Sequence, residues 1–232
     1  MCGERLGNMK VRLGKFVLVL PVVGCLVGGV IVFIVLHTVA SERYYTDSSR
    51  AFTYLDYTDT AAECNRLASS YPELVEVGSA QDNYGVASPG LCGKISKTDE
   101  CKQWYIRITN ENTYTEPSER PEVFFSGSLH GNERVGPTTV MEFARLLLEN
   151  YKFGQNPWLK RLVDTRVIYI MPNANALGYD RDTREENNID PNRDFPYDRE
   201  ANKCMQTTAG RAINELWRDH LFQLSITFHG GM

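Results

Sequence analysis

The stretch EVFFSGSLHGNERVGPTTVMEFARLLLENY, residues 122–151, changes hydrophobic period partway along, and that change decides the fold. Residues 122–126 form a short aromatic and β-branched run around Val123, Phe124 and Phe125, which reads as a buried strand. Farther on, Val140, Phe143, Ala144, Leu147, Leu148 and Tyr151 follow the i, i+3, i+4, i+7 spacing of one helical face. Glu142, Arg145, Glu149 and Lys152 take the opposite face. Between strand and helix lies Ser128-Leu129-His130-Gly131-Asn132-Glu133. An imidazole and a carboxylate three residues apart at such a junction can address one metal ion. A catalytic zinc takes three such protein ligands at about 2.0–2.2 Å and keeps one position open for water. His130 and Glu133 supply two of the three. Arg134 comes next, so the order is neither His-Glu-x-x-His nor His-x-x-Glu-His.

Outward from this junction, strand and helix patterns alternate. Residues 58–71 read as a helix closed by Tyr71-Pro72, and residues 74–77 as a strand. Residues 81–100 form a polar, Gly- and Pro-bearing loop, and residues 104–109 alternate as a strand. On the carboxyl side, a short helix opens at Pro157, residues 166–171 form a buried strand, and residues 207–220 a helix. Residues 224–228 alternate strictly and run into His229-Gly230-Gly231. Residues 173–197 are polar and without a regular pattern, a length that marks a functional or disordered segment. Strands interleaved with helices predict an α/β sheet.

In open α/β sheets, ligands gather beyond the carboxyl ends of the strands. Three predicted strands lead there into polar residues: residues 122–126 into His130 and Glu133, residues 166–171 into the polar segment, and residues 224–228 into His229. If the three are parallel, those ends share one edge, and His229 is the third metal ligand. Of the four histidines, His37 falls in an apolar run and His220 ends a helix, where it supports the core or caps that helix.

The chain has 232 residues, 42% of them hydrophobic, and a formal charge of −4, which gives no reason to expect nucleic acid as a partner. Residues 16–36 contain 21 residues without a charge. At about 1.5 Å per residue a helix of that length crosses a bilayer core of about 30 Å. Arg5, Lys10, Arg12 and Lys15 precede it with only Glu4 opposing, while Glu42, Arg43 and Asp47 follow. The positive-inside bias therefore predicts a cytoplasmic tail (residues 1–15), a transmembrane signal anchor (16–39), a stalk (40–57) and a single-pass membrane protein whose residues 58–232 lie outside the cell or in a lumen. Secretion after cleavage near Thr38-Val39-Ala40 is the alternative, although signal h-regions are shorter, about 7–15 residues. Cys64, Cys92, Cys101 and Cys204 would then meet an oxidising compartment. Cys92 and Cys101 are placed to bridge the polar loop, which leaves Cys64 with Cys204. Four cysteines allow three connectivities, and the sequence does not choose among them.

The segment Asp190-Pro191-Asn192-Arg193-Asp194-Phe195-Pro196 adds a planar guanidinium suited to gripping a carboxylate bidentately. Together with His130-Gly131-Asn132-Glu133 and His229-Gly230-Gly231, it resembles the zinc metallocarboxypeptidases, nearer to their regulatory, processing-type branch. The resemblance covers residues from about 58 to the end of the chain. It implies a three-layer α/β/α fold around a mixed, largely parallel sheet, and one zinc ion held by His130, Glu133 and His229. It also implies that Arg184 polarises the scissile carbonyl, with Arg181 three residues earlier as its competitor. Asn192 and Arg193 would hold the terminal carboxylate of a peptide or protein.

In that family a glutamate general base and a substrate-site tyrosine follow the third ligand at a distance. Here the chain stops at Met232, and neither can be assigned. Loss of a general base costs about 10²–10⁴-fold in rate, so the expectation is a truncated catalytic domain with weak peptidase activity or none. Two other readings remain: a non-catalytic module that binds peptide carboxyl ends or a partner, and a hydrolase of small acyl-amino acids.

Overall fold

Among the described residues, the elements run in the order α1 (Tyr57–Ser70), β1 (Val75–Ser79), α2 (Ala80–Tyr84), β2 (Leu91–Cys92), β3 (Asp99–Glu100), β4 (Trp104–Ile108), β5 (Glu122–Gly127), α3 (Val135–Phe153), α4 (Pro157–Thr165), β6 (Val167–Met171), α5 (Ala176–Arg181), α6 (Thr208–Asp219) and β7 (Phe222–Phe228). The structure is a computed structural model that describes residues 54–94, 98–113, 120–154, 156–196 and 203–230. The expected tail, the anchor and nearly all of the stalk lie outside the described residues. Among the described residues, no helix is long and apolar enough to cross a membrane.

The main sheet has the order β1-β4-β6-β5-β7. The first two pairings, β1 with β4 and β4 with β6, are antiparallel, whereas β5 is parallel to both β6 and β7. The sheet is mixed with a parallel half, as expected. Strand alternation sends neighbouring side chains to opposite faces. Ile106, Ile108, Ile168 and Ile170 join α1, α3 and α4 in one apolar cluster. Tyr105, Phe124, Val167, Tyr169 and Met171 join Ala80 and the α6 residues Ala212, Ile213 and Leu216 in the other. The result is three layers. Each fully buried Leu or Ile adds about 1.5–3 kcal/mol to the fold. The strand β7 pairs with β5 and leaves Leu224 and Ile226 exposed.

One ion cluster ties two helices of the first layer. The Glu63 carboxylate accepts hydrogen bonds from Arg66 at 2.6 and 2.7 Å and from Arg145 Nε on α3 at 2.7 Å. Burial opposes the charge on Glu63, but the two guanidinium groups outweigh it and hold the carboxyl below its usual range. The folded pKa is lowered, so the stabilisation is present above the unfolded value of about 4.3 and is lost as pH falls through the folded pKa. Glu63→Gln is expected to lower stability at pH 7 by about 2 kcal/mol, as for a hydrogen-bonded charged group. In urea unfolding, the difference from the native chain should shrink in acid below about pH 4.

Three expectations change. The predicted loop at 81–100 contains α2, which Ser79 opens by accepting the Asp82 N–H and Gly85 closes at φ 65, and also the hairpin β2–β3. Second, Cys92 and Cys101 form the predicted disulfide across that hairpin, but no disulfide joins Cys64 to Cys204. Cys64 is buried in the α1 layer, where burial pushes its thiol up to about 12, while Cys204 precedes α6 on the other face of the sheet. Third, residues 173–196, which show no regular pattern in sequence, carry short elements. They hold α5, a two-residue turn in which Glu186 and Ile189 exchange N–H···O bonds across Asn187 and Asn188, and a 3-10 turn at Pro191–Arg193. Asn187 and Asn188 sit at φ 50 and 66, the left-handed values that such a tight turn requires and that asparagine tolerates.

Candidate metal centre

Because β5, β6 and β7 are parallel, their carboxyl ends meet at one edge, and the three predicted ligands converge there. The chain leaves β5 through Ser128, a buried residue in the left-handed region at φ 53, and reaches His130 two residues later. Glu133 stands just before α3, and His229 follows β7 directly. His130 Nδ1 lies 2.8 Å from Glu133 Oε1, and His229 Nδ1 lies 2.8 Å from Glu133 Oε2. One ligand atom from each residue falls within 4.8 Å of the others. His130 and Glu133 are buried, and His229 stays open to solvent. Two imidazoles and a carboxylate at this spacing fit a zinc ion in donor type and number.

Electrostatics prepare the donors. Burial opposes the Glu133 charge, yet hydrogen bonds from His130, from the Gly230 backbone N–H and from His229 outweigh it, and the carboxyl is held below its ordinary range. The second nitrogen of His130, Nε2, lies 3.1 Å from Asp190 Oδ1. With a metal at Nδ1 in place of the Glu133 contact, the imidazole proton would sit on Nε2 and be donated to Asp190. Nothing in the residue pattern marks this partner, which lies 60 residues away with no spacing rule to reveal it.

Asp190 has a second task. Its Oδ2 accepts hydrogen bonds from Arg184 Nε at 3.3 Å and Nη2 at 3.0 Å. The third nitrogen, Arg184 Nη1, comes within 3.9 Å of Glu133 Oε1. Burial works against the Asp190 charge too, and is outweighed by the Asn192 N–H, by Arg184 and by His130, so this carboxyl also lies below the usual range. One carboxylate thereby fixes a metal-facing histidine and the nearest guanidinium. Arg181, the competitor, ends α5 beside a surface depression of about 430 Å³ that it lines with Thr183, Arg184, Glu185, Asn187 and Asn188.

Asn192 and Arg193 lie on the 3-10 turn directly after Asp190, with exposed side chains. Asn192 donates its N–H to Asp190 Oδ1 at 2.8 Å. His220 is elsewhere. Its Nδ1 lies 3.0 Å from Glu122 at the start of β5, and its ring packs 4.4 Å from that of Tyr169. It buttresses the opposite end of the strand, as expected of a supporting histidine.

The zinc carboxypeptidase family model matches residues 92–232. Human carboxypeptidase D is 25% identical over 82% of this chain and 13% of its own length. Carboxypeptidase SOL1 of Arabidopsis thaliana is 32% identical over 60% of the chain and 30% of its own length. Mouse carboxypeptidase M is 30% identical over 59% and 33%, so the chain spans a third or less of each of these relatives. In fold, it is similar to thrombin activatable fibrinolysis inhibitor (TM-score 0.56, 16% identity, 77% of this chain and 48% of the other). It is also similar to carboxypeptidase A of Helicoverpa armigera (TM-score 0.54, 17% identity, 83% and 50%).

Proposed function

The chain belongs to the zinc carboxypeptidase family, and from that premise we propose that it is part of a zinc-dependent exopeptidase that removes residues from the carboxyl ends of peptides or proteins. The observation that carries the reading is the convergence of His130, Glu133 and His229 within 4.8 Å from separate segments of the chain. These three residues would hold one zinc ion. A zinc ion there supplies Lewis-acid chemistry at neutral pH.

The chain's own groups do the rest. Asp190 holds two nitrogens of Arg184 and leaves Nη1 toward the cluster, where a substrate carbonyl would develop negative charge. A fixed donor at such a point lowers the barrier by about 3 kcal/mol. Asn192 and Arg193 recognise the terminal carboxylate, the Arg193 fork supplying charge and direction. A carboxylate grip in the same loop as Asp190 limits cleavage to the last peptide bond. The charge-free run at 16–36 supports an anchor that places residues 58–232 outside the cell or in a lumen.

The test is a time course by mass spectrometry on a peptide with a free carboxyl end and on the same peptide as its carboxamide. Loss of single residues from the free acid, with the carboxamide left intact, is expected. Internal cleavage, or equal attack on both, would overturn the exopeptidase reading. The alternative is a module that binds peptide carboxyl ends without cleaving them. A chain that binds zinc and the free-acid peptide without cleaving it would establish that alternative.

A further inference from the structure

The turn that carries Asn192 and Arg193 is bracketed by two aspartates that perform opposite anchoring. On one side, Asp190 opens the turn and reaches inward to His130 and Arg184. On the other, Asp194 closes it, donating its N–H to the Pro191 carbonyl. The Asp194 side chain is 1% exposed. Its Oδ1 accepts the Gln206 N–H at 2.8 Å, and its Oδ2 accepts the Thr207 N–H and the Thr207 hydroxyl, both at 2.7 Å. Its carbonyl accepts the Met205 N–H at 2.7 Å. These partners belong to the segment that enters α6, and α6 is fixed to the sheet through Ala212, Ile213 and Leu216.

A second buried carboxylate repeats the attachment. Glu186, 3% exposed, lies on the same loop upstream of Asp190 and accepts the backbone N–H groups of Thr208 and Ala209 in the first turn of α6. The amino end of a helix is where unpaired N–H groups and the helix dipole both favour a carboxylate. The loop is therefore held to the helix at Glu186 and at Asp194, and to the metal cluster between them at Asp190. Hydrogen bonds to a buried charged group are strong and directional, so the turn has little freedom to shift.

We propose that Asp194, reinforced by Glu186, is a positioning residue for recognition of the substrate's carboxyl end: it holds Arg193 and Asn192 at a fixed separation from the metal centre. The inference rests on the exopeptidase reading above and deepens it. In an exopeptidase this separation is the ruler that selects the last peptide bond. Neither aspartate needs to touch the substrate for the ruler to hold.

The experiment uses the zinc-loaded chain and two fluorescent tetrapeptides, one with a free carboxyl end and one ending in a carboxamide, with binding followed by anisotropy and zinc by mass spectrometry. The native chain is expected to prefer the free acid at least tenfold. Asp194→Asn keeps the size of the side chain but puts an amide N–H against the N–H donors. It is expected to weaken binding of the acid about tenfold, in line with the steep cost of misplacing a recognition group. Binding of the carboxamide and the zinc content should stay unchanged. Asp194→Ala should remove the preference altogether, and if that variant fails to fold, Asp194→Asn decides. A folded Asp194→Asn chain with native zinc and the native acid-over-amide preference would overturn the assignment while leaving the exopeptidase reading intact. A native chain that binds the two peptides equally would overturn both.

Discussion

Alanine at His130 or His229 is expected to abolish stoichiometric zinc, whereas alanine at His220 leaves it unchanged. The sorting follows from place. His130 and His229 turn their Nδ1 atoms toward one carboxylate at the carboxyl ends of β5 and β7, while His220 is committed to Glu122 at the other end of β5. A four-ligand zinc site in a small peptide is worth about 10–16 kcal/mol, so one ligand carries about 3 kcal/mol or more, a factor of over one hundred in affinity. Dialysis followed by elemental analysis reads this directly. Asp190→Asn should do less, about 10–100-fold, because it disturbs only the orientation and basicity of His130. Thermal unfolding gives an independent reading. Excess zinc should raise the Tm of the native chain, about 4 kcal/mol of added stability at one thousand times Kd, and should not raise that of the two histidine variants. Variants that keep one zinc per chain would show that the ion is held elsewhere, and the peptidase reading would lose its centre. Because His130 is buried and His229 is 38% exposed at its side chain, His130→Ala should also cost more stability in the absence of metal.

The change of hydrophobic period between Phe125 and Val140 was enough to place His130 and Glu133 at a strand-to-helix junction, and the strict alternation of residues 224–228 placed His229 at the end of a second strand. The parallel arrangement that joins them needed only the rule that ligands gather at strand ends. What stayed hidden is polar and buried. Asn175, Glu186, Asp190 and Asp194 fall in a polar segment without a regular pattern, yet Asn175, Glu186 and Asp194 are almost completely buried. Their partners are backbone N–H groups of α5 and α6 or, for Asp190, the far nitrogen of His130. Composition shows that a side chain can accept a hydrogen bond but not which donor it will find. The helices α2 and α5 were missed for a related reason: five and six residues are too few to show a 3.6 period, and their ends are set by the caps Ser79 and Asn175.

The largest effect on the fold and the site together is expected from adding one methyl group. Gly131 lies between the two metal-facing residues, and a Cβ built on it would stand 2.1 Å from the carbonyl carbon of Gly178 and 2.4 Å from the carbonyl oxygen of Thr183. Both obstacles are backbone, so no side chain can turn aside. The Gly131 N–H donates to the Arg184 carbonyl at 3.2 Å, and Asn175 Nδ2 donates to the same oxygen at 3.3 Å while its Oδ1 caps α5. The metal loop, α5 and the strand of chain that carries Arg184 are thus packed backbone against backbone at this one residue. In Gly131→Ala, either α5 and residues 183–184 retreat, or the loop lifts away from them. The first moves Arg184, and the second moves His130 and Glu133. Overpacking of a rigid site costs about 1–3 kcal/mol when side chains can adjust, and more is expected here because none can. The variant should therefore lose at least about 3 kcal/mol of stability in urea unfolding, and its zinc content should fall in any fraction that stays folded. His130→Ala, by contrast, should lose the metal with a smaller loss of metal-free stability than Gly131→Ala. A Gly131→Ala chain with native stability and native zinc would mean that the close approach of this loop to α5 is not what holds the ligands in place.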